Sequence, residues 1–421
     1  MKTLTWQKPG QQNVAQELIK IIINYVAELR IMNKIIILLL LMIICACSSN
    51  KQKIIDGIEK IPIEVRNASS DASVFLEKIE ITPLETKDSS LIGKFKKVMY
   101  DQTMDIYAIY DKDQVVSTFS GTGKFISNSI NRQGQGPEEY SMAVDIKFNP
   151  FLKGIDLLDP YGVIYTYSLD FKLLSKRKIK SKFALNSLMA LSLDKYVFTN
   201  PFIWTDEEVL FANLKTQQIT NVGYSGTISV ENTMDKEKFY TIGEKFYFVP
   251  NGVNYYFYQI DDKAMELTPI MYLDFGDSMI EEDDLPGCAT AKKYKSDKEM
   301  MELTEETAGR ADFLRSSNYV IPLIKFFNDD YVYVVFVQNR DTGGNFIFNR
   351  KKKEGFLLRD KKPFIMKFCF GIVDNILMAI CHPDEVAMYT DPKFMSSEDI
   401  LKMTQLKEDD NPVILKYYLK K

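Results

Sequence analysis

A chain of 421 residues can hold two or three ordinary domains or one large repetitive one. Its 46% apolar and 26% charged residues are those of a folded globular protein, and 12% aromatics supply ample core. A formal charge of −4 over this length creates no basic field, which argues against a nucleic-acid partner.

The first 31 residues include an amphipathic stretch, VAQELIKIIINYVAELR, and stand ahead of a signal-like segment, MNKIIILLLLMIICACSSN, that begins at Met32. Residues 1–31 are therefore read as an over-extended start or a disordered leader, the competing reading being a genuine amphipathic helix. Within 32–46, Lys34 gives the positive start and Ile35 to Ala46 the apolar core. That core is well short of the ~20 residues that cross a bilayer. The segment ends in Ile44-Cys45-Ala46-Cys47, which resembles a bacterial lipobox. On this reading Cys47 becomes the first residue of the mature protein and carries the lipid, each buried methylene contributing about 0.8 kcal/mol to anchoring. An ordinary cleaved signal peptide is the alternative. The polar, basic SSNKQK after Cys47 points to a periplasm-facing anchor at the outer membrane rather than a surface-exposed one.

Residues 47–70 lack periodicity and read as a flexible tether, with the folded domain expected over 71–421. From there short runs of β-branched and aromatic residues recur, bounded by Asp, Asn, Gly, Lys or Pro. VVSTFSGTGKFISN from Val115 aligns with VIYTYSLDFKLLSK from Val163 at an offset of about 48. IYAIYDKDQ precedes the first copy and GIDLLDPYG the second. Further copies start at Val209, Asn254 and Gly344. A period in the forties is the size of a four-stranded propeller blade. The fold class is therefore all-β, a six-bladed propeller of four-stranded antiparallel blades. VFLEKIEITPLET (Val74 to Thr86) and NPVILKYYLK (Asn411 to Lys420) lack local partners and should share the blade that closes the ring. Ser296 to Ser317 reads as an inserted helix, and SSEDILKMTQL from Ser396 as a second, capped by Ser396 or Ser397.

INRQGQGPEEY, Ile130 to Tyr140, is the stretch nearest in appearance to a phosphate loop. It lacks the third glycine, Pro137 removes a donor, and no P-loop lysine follows. Its place between two units makes it an inter-blade turn built on Gly134, Gly136, Pro137, Glu139 and Tyr140. Glu138 and Glu139 are neighbours on extended chain and point apart, so they do not converge as an acid–base pair; a solvated face, or an ion pair from Glu139 to Arg132, is expected. GKFISNSINRQGQGPEEYSMAVDI also resembles the inter-blade signature of six-bladed propeller lipoproteins, relatives of the NHL-repeat propellers. Gly123, Lys124, Phe125, Gly134, Gly136, Pro137, Glu139 and Tyr140 carry the match, and ITPLET at Ile81 to Thr86 is similar to the family's opening. The resemblance runs from about Phe75 to Leu174. It implies an exported β-propeller and brings no catalytic residues.

The chain has a single histidine, His382, which excludes a His-rich metal site and leaves one candidate base for any nucleophile. Cys381 beside it is too close in sequence for nucleophile–base geometry, and GYSGT at Gly223 misses the elbow spacing. Cys288, Cys369 and Cys381 are expected as buried free thiols, a Cys369–Cys381 bond being the alternative. EEDD, Glu281 to Asp284, lacks the glycine and alternating ligands of a calcium loop. Alternating aromatics such as NYYFYQ are core first, with sugar stacking second. No cofactor, metal or catalytic residue is assigned. The expected role is a monomeric, lipid-anchored, non-catalytic binding or scaffolding propeller of the cell envelope, with a protein or glycan ligand. The alternatives are a hydrolase or lyase acting on a glycan or peptide through carboxylates, and a sensor that signals through a partner.

Overall fold

In the computed structural model of the chain, the described residues are 57–421 except 66–67, 70, 182–183, 201–207, 224–236, 251–252, 281–283, 285, 287–295, 340 and 360–363. The signal-like segment, Cys47, Cys288 and most of the EEDD run lie outside them. Three strands come first: β1 (Glu59–Pro62), β2 (Ala68–Ser69) and β3 (Leu76–Pro83). Blade 1 follows as β4 (Phe95–Asp101), β5 (Ile106–Asp111), β6 (Val116–Ser120) and β7 (Phe125–Asn128). Blade 2 is β8 (Asp145–Asn149), β9 (Gly154–Leu158), β10 (Val163–Tyr167) and β11 (Leu173–Lys178). Blade 3 is β12 (Ser187–Ala190), β13 (Lys195–Thr199), β14 (Glu208–Asn213) and β15 (Gln218–Gly223). Blade 4 is β16 (Phe239–Ile242), β17 (Lys245–Phe248), β18 (Tyr256–Asp261) and β19 (Glu266–Asp274). Blade 5 is β20 (Ile321–Phe327), β21 (Tyr331–Gln338), β22 (Asp341–Asn349) and β23 (Glu354–Leu358). Blade 6 takes β24 (Cys369–Val373), β25 (Ile376–Cys381) and β26 (Val413–Leu419) from the end of the chain, and β3 from its beginning.

The expected closure is therefore present. β26 pairs antiparallel with β3, with Leu415 opposite Ile81 and Tyr417 opposite Ile79. The outer edge of β3 is covered in turn: Ile79 bridges to Met395, and Asp399 accepts the Ile81 N–H at 3.4 Å. Asp399 belongs to helix α2 of Ser397–Gln405, which follows α1 of Asp297–Ser316. Both helices stand where the sequence placed them. Ser296 caps α1 by accepting from Glu299 N, and Ser396 caps α2 by accepting from Asp399 N. α1 is tied down by Leu314, which is fully buried in the core shared by blades 4 and 5. No helix among the described residues is long and apolar enough to cross a membrane.

The tether expectation is corrected from Glu59 onward. β1 adds in parallel to β19 as a fifth strand of blade 4, and β2 adds in parallel to β23 as a fifth strand of blade 5. With β3 on blade 6, the segment straps the outer edges of three consecutive blades. A four-residue strand of sequence EKIP carries little periodicity, yet an unpaired edge recruits it through main-chain hydrogen bonds. Ile61 and Ile63, both buried, pin it to the core.

Burial grades across each blade because its middle strands are sandwiched between neighbours and its edge strands are not. Every residue of β5 and the first six of β21 are buried, whereas β11 alternates half-buried with exposed. Apolar clusters fill the spaces between blades, one between 1 and 2, another between 2 and 3, another between 6 and 1. The aromatic run Tyr255, Tyr256, Phe257 and Tyr258 is wholly buried, so all of its rings serve as core. Hairpins turn on repeated Asp or Asn side chains that accept backbone N–H groups. Asp111 accepts Val115 N at 2.9 Å, and Asp159, one repeat later, accepts Val163 N at 2.8 Å.

Leu415 is fully buried on the closing strand. Leu415→Ala is expected to cost about 2–5 kcal/mol, read as a lowered urea midpoint with an unchanged slope.

Candidate functional site

The inner strands β4, β8, β12, β16, β20 and β24 face the axis of the ring, and neighbouring ones pack together, as β8 with β12 and β4 with β24. Alternation sends Lys97 on β4 and both Asp145 and Lys147 on β8 toward this central region. Glu237, two residues ahead of β16, joins them. In a ring of six, blade 4 lies opposite blade 1, so a contact from Glu237 to Lys97 must cross the channel.

The four charges form one network. Asp145 Oδ1 accepts from Lys97 Nζ at 2.8 Å and from the Ile146 N–H at 2.9 Å, and its Oδ2 accepts from the Leu188 N–H of blade 3 at 3.0 Å. Glu237 divides its oxygens, Oε2 lying 3.3 Å from Lys97 Nζ and Oε1 2.5 Å from Lys147 Nζ. Lys147 donates as well to the Phe239 carbonyl at the start of β16. Side-chain exposure is 6% for Lys97, 5% for Asp145, 14% for Lys147 and 29% for Glu237, so the glutamate is the outermost member.

Electrostatics follow from this placement. Burial opposes the Lys97 ammonium, but Asp145 and Glu237 together outweigh it and hold its pKa above the ordinary lysine range. Burial pushes the Asp145 carboxyl up, against the pull of Lys97. Burial also pushes Lys147 down, Glu237 recovering part of the loss, while burial of Glu237 is outweighed by the two ammonium groups, which hold it low. The arrangement is two cations against two anions, with Lys97 between the carboxylates.

A second buried network joins blades 2 and 3. Asp156, fully buried on β9, accepts from Thr166 Oγ1 at 2.5 Å, Asn149 Nδ2 at 2.9 Å and the Tyr196 hydroxyl at 3.0 Å. Arg177 donates to that hydroxyl at 2.7 Å. Burial still pushes the Asp156 carboxyl up to about 6, despite these donors.

Loop 130–140 carries the chain from β7 to β8. Tyr140 is fully buried, within 2.5 Å of Ser129 Oγ, and donates to the Gln114 carbonyl at 2.6 Å. Glu139 curls back so that its Oε2 accepts the Gly136 N–H at 2.8 Å, and a Cβ at Gly134 would collide with that same oxygen. Its backbone groups are thus used internally. The expected Arg132–Glu139 pair is corrected: Arg132 meets Glu138, at 3.2 Å, because Glu139 is committed to the glycines. Lys176 of blade 2 donates to the Pro137 carbonyl at 3.0 Å, which seats the loop on the next blade.

The other sequence candidates sit apart from the channel network. His382 is exposed, its ring 5.5 Å from that of Phe95. Cys369 and Cys381 lie on adjacent strands as buried free thiols. Burial pushes the Cys381 thiol up to about 12 and Cys369 higher still, which makes both poor nucleophiles. Among the described residues no three His, Cys, Asp or Glu side chains gather to hold a metal. Sequence reasoning missed the channel network. A signal existed for one pair: Lys97 and Asp145 are separated by 48 residues, the repeat offset itself.

Residues 58–418 match the family described as Domain of unknown function (DUF4934). The chain belongs to that family. No curated protein matches it. The DUF4934 chain shares its fold with a crystal structure from Bacteroides fragilis described as an exported protein. That match has a TM-score of 0.64 and 15% identity over 86% of this chain and 100% of the other. The β-propeller domain of Cps50 (Swd1) from Myceliophteria thermophila aligns at 8% identity over 81% of this chain and 100% of that one, with a TM-score of 0.40.

Two outcomes are expected from this site. Lys97→Met leaves Asp145 and Glu237 without their shared cation and should cost about 3–5 kcal/mol in denaturant unfolding, with partial recovery when Asp145 is also replaced by Leu. Asp156 is protonated more readily in the fold than in the unfolded chain. Its stabilising contribution is full below about pH 4 and lost as pH rises through about 6. Stability of Asp156→Asn relative to the parent should therefore rise by on the order of 3 kcal/mol between pH 4 and pH 7.5. A pH-independent difference would remove this titration from the account.

Proposed function

We propose that this DUF4934 chain is an exported, lipid-anchored propeller of the cell envelope. It holds a protein or glycan ligand at one end of its channel without cleaving it. The observation that carries this reading is the position of Lys97 between Asp145 and Glu237, at 2.8 and 3.3 Å. Carboxylates that cleave glycosides work as a pair around a bond, one as acid and the other as base or nucleophile. Here Asp145 and Glu237 share a cation instead, an arrangement suited to recognition. The buried, high-pKa thiols and the exposed His382 supply no alternative nucleophile.

Export and anchoring rest on the lipobox-like ICAC ending at Cys47, and the fold shared with the Bacteroides exported protein agrees with export. Only 11 residues separate Cys47 from Glu59, the first strand residue, so an anchor there would hold the propeller within about 40 Å of the lipid surface. The protein is monomeric in this reading and its anchor faces the periplasm.

Two measurements test it. Cys47→Ala should abolish incorporation of labelled fatty acid and move the protein from the membrane to the soluble fraction; retention of both would refute lipidation. Retention of material from solubilised envelope by the purified protein should be lost in Lys147→Met, with no new reducing ends or amino termini formed during incubation. Product formation would instead establish the hydrolase or lyase reading.

A further inference from the structure

Of the two carboxylates in the channel network, one is built into the strands and the other is not. Asp145 meets Lys97 and is further held by two backbone N–H groups, from Ile146 and Leu188, all on or beside regular strands. Glu237 differs in three respects. It stands ahead of β16, outside the strand ladder. It reaches its lysines from across the ring rather than from a neighbouring blade. Its side chain is the most exposed of the four, at 29%.

The lysines, by contrast, are fixed by strands of adjacent blades and lie deeper, at 6% and 14% exposure. Their two ammonium groups meet one oxygen each of a single carboxylate. This is the geometry that a carboxylate arriving along the channel would adopt, with charge-assisted hydrogen bonds on both oxygens. Removing Glu237 from this position would leave Lys97 paired with Asp145 and Lys147 donating to the Phe239 carbonyl.

We propose that Glu237 is a built-in stand-in for a ligand carboxylate, and that the channel binds carboxylate-bearing ligands that displace Glu237 from Lys97 and Lys147. This deepens the binding reading above and rests on it. The ligand's chemistry is a single carboxylate on a body narrow enough to enter the channel, as on an acidic sugar or a peptide C-terminus. A site occupied by its own carboxylate more than nine-tenths of the time weakens ligand binding by the same factor, so removing the competitor strengthens binding tenfold or more.

The test is titration calorimetry on the whole mature protein with four probes: glucuronate, glucose, N-acetylalanine and N-acetylalanine amide. Glu237→Gln should bind at least one acid probe tenfold or more tightly than the parent, and the matching neutral probe should not bind. The two pairs distinguish a sugar acid from a peptide terminus. Adding Lys147→Met to Glu237→Gln should remove the gain. Equal binding of acid by parent and Glu237→Gln, or equal binding of acid and neutral probe, overturns the proposal. Should Glu237→Gln fail to fold, lysine ammonium resonances of the parent carry the test. Those of Lys97 and Lys147 should shift together as glucuronate or N-acetylalanine is added, and shifts confined to surface lysines overturn the proposal. Envelope material retained through Lys147 but lacking a carboxylate would sink this inference and leave the binding module intact, whereas retention that is absent in the parent, or unchanged by Lys147→Met, would sink both.

Discussion

Each blade is apolar on both faces, so each needs a neighbour on both sides, and only a closed ring supplies that for all six. The pairing of β26 with β3 is what turns a row of sheets into such a ring. Without it the faces that bury Ile414 and Ile380 against blade 1, and Tyr417 and Leu377 against blade 5, would lose the geometry that brings them together. At roughly 25 cal/mol per Å² of apolar surface, two exposed blade faces would outweigh the few kcal/mol by which a domain is stable. The closing pair is separated by more than 330 residues, as between Glu80 and Tyr418, so its loop entropy must be met by the sheets it completes. The covering of β3 by Met395 and Asp399 removes the edge that a closing strand would otherwise expose.

The channel network is a consequence of closure. Lys97 and Asp145 occupy the same place in successive repeats, so pairing them links blade 1 to blade 2. Leu188 then extends the link to blade 3. Buried ion pairs of this kind add little net stability compared with apolar packing, but breaking one partner is costly. Their effect is therefore on register: a slipped inner strand would leave a charge in the channel uncompensated. The same logic applies to Asp156, whose bond from Tyr196 ties blade 3 to blade 2 while its burial makes the ionised form expensive.

Most of the architecture was legible because it rests on local pattern. The repeat offset of 48 reflects real blade equivalence, as Asp111 and Asp159 show by capping the same hairpin in successive blades. The closing strands were legible by elimination, since each had strand character and no nearby partner. The helix starts were legible from Ser296 and Ser396, whose hydroxyls do cap them. β1 and β2 were not, because four and two residues are too short for periodicity and their partners β19 and β23 lie some 210 and 290 residues away. The Lys97–Asp145 pair could have been found by asking which charges recur at the repeat spacing. Glu237 could not, since nothing in its neighbourhood marks it and its partners are set by the ring. Glu138 and Glu139 show the limit of reading at single-residue scale, because which of them meets Arg132 depends on how the glycines let Glu139 fold back.

Blade 4 is where the strap and the channel meet. β1 holds its outer edge and Glu237 leads into its inner edge, with four strands between them in one hydrogen-bonded sheet. Glu59 on β1 also binds blade 5, its carboxylate 2.5 Å from Arg350 and 2.9 Å from Lys353, and those cations hold its pKa low against burial. The outer edge is thereby locked to two blades at once. Movement of the whole blade would have to break the β1–β19 ladder together with this ion triad. Movement of the Glu237 side chain breaks its ion pairs to Lys97 and Lys147 but involves neither that ladder nor that triad. A ligand that takes its place should therefore change the channel locally and leave the propeller, and any anchor upstream of Glu59, as they were.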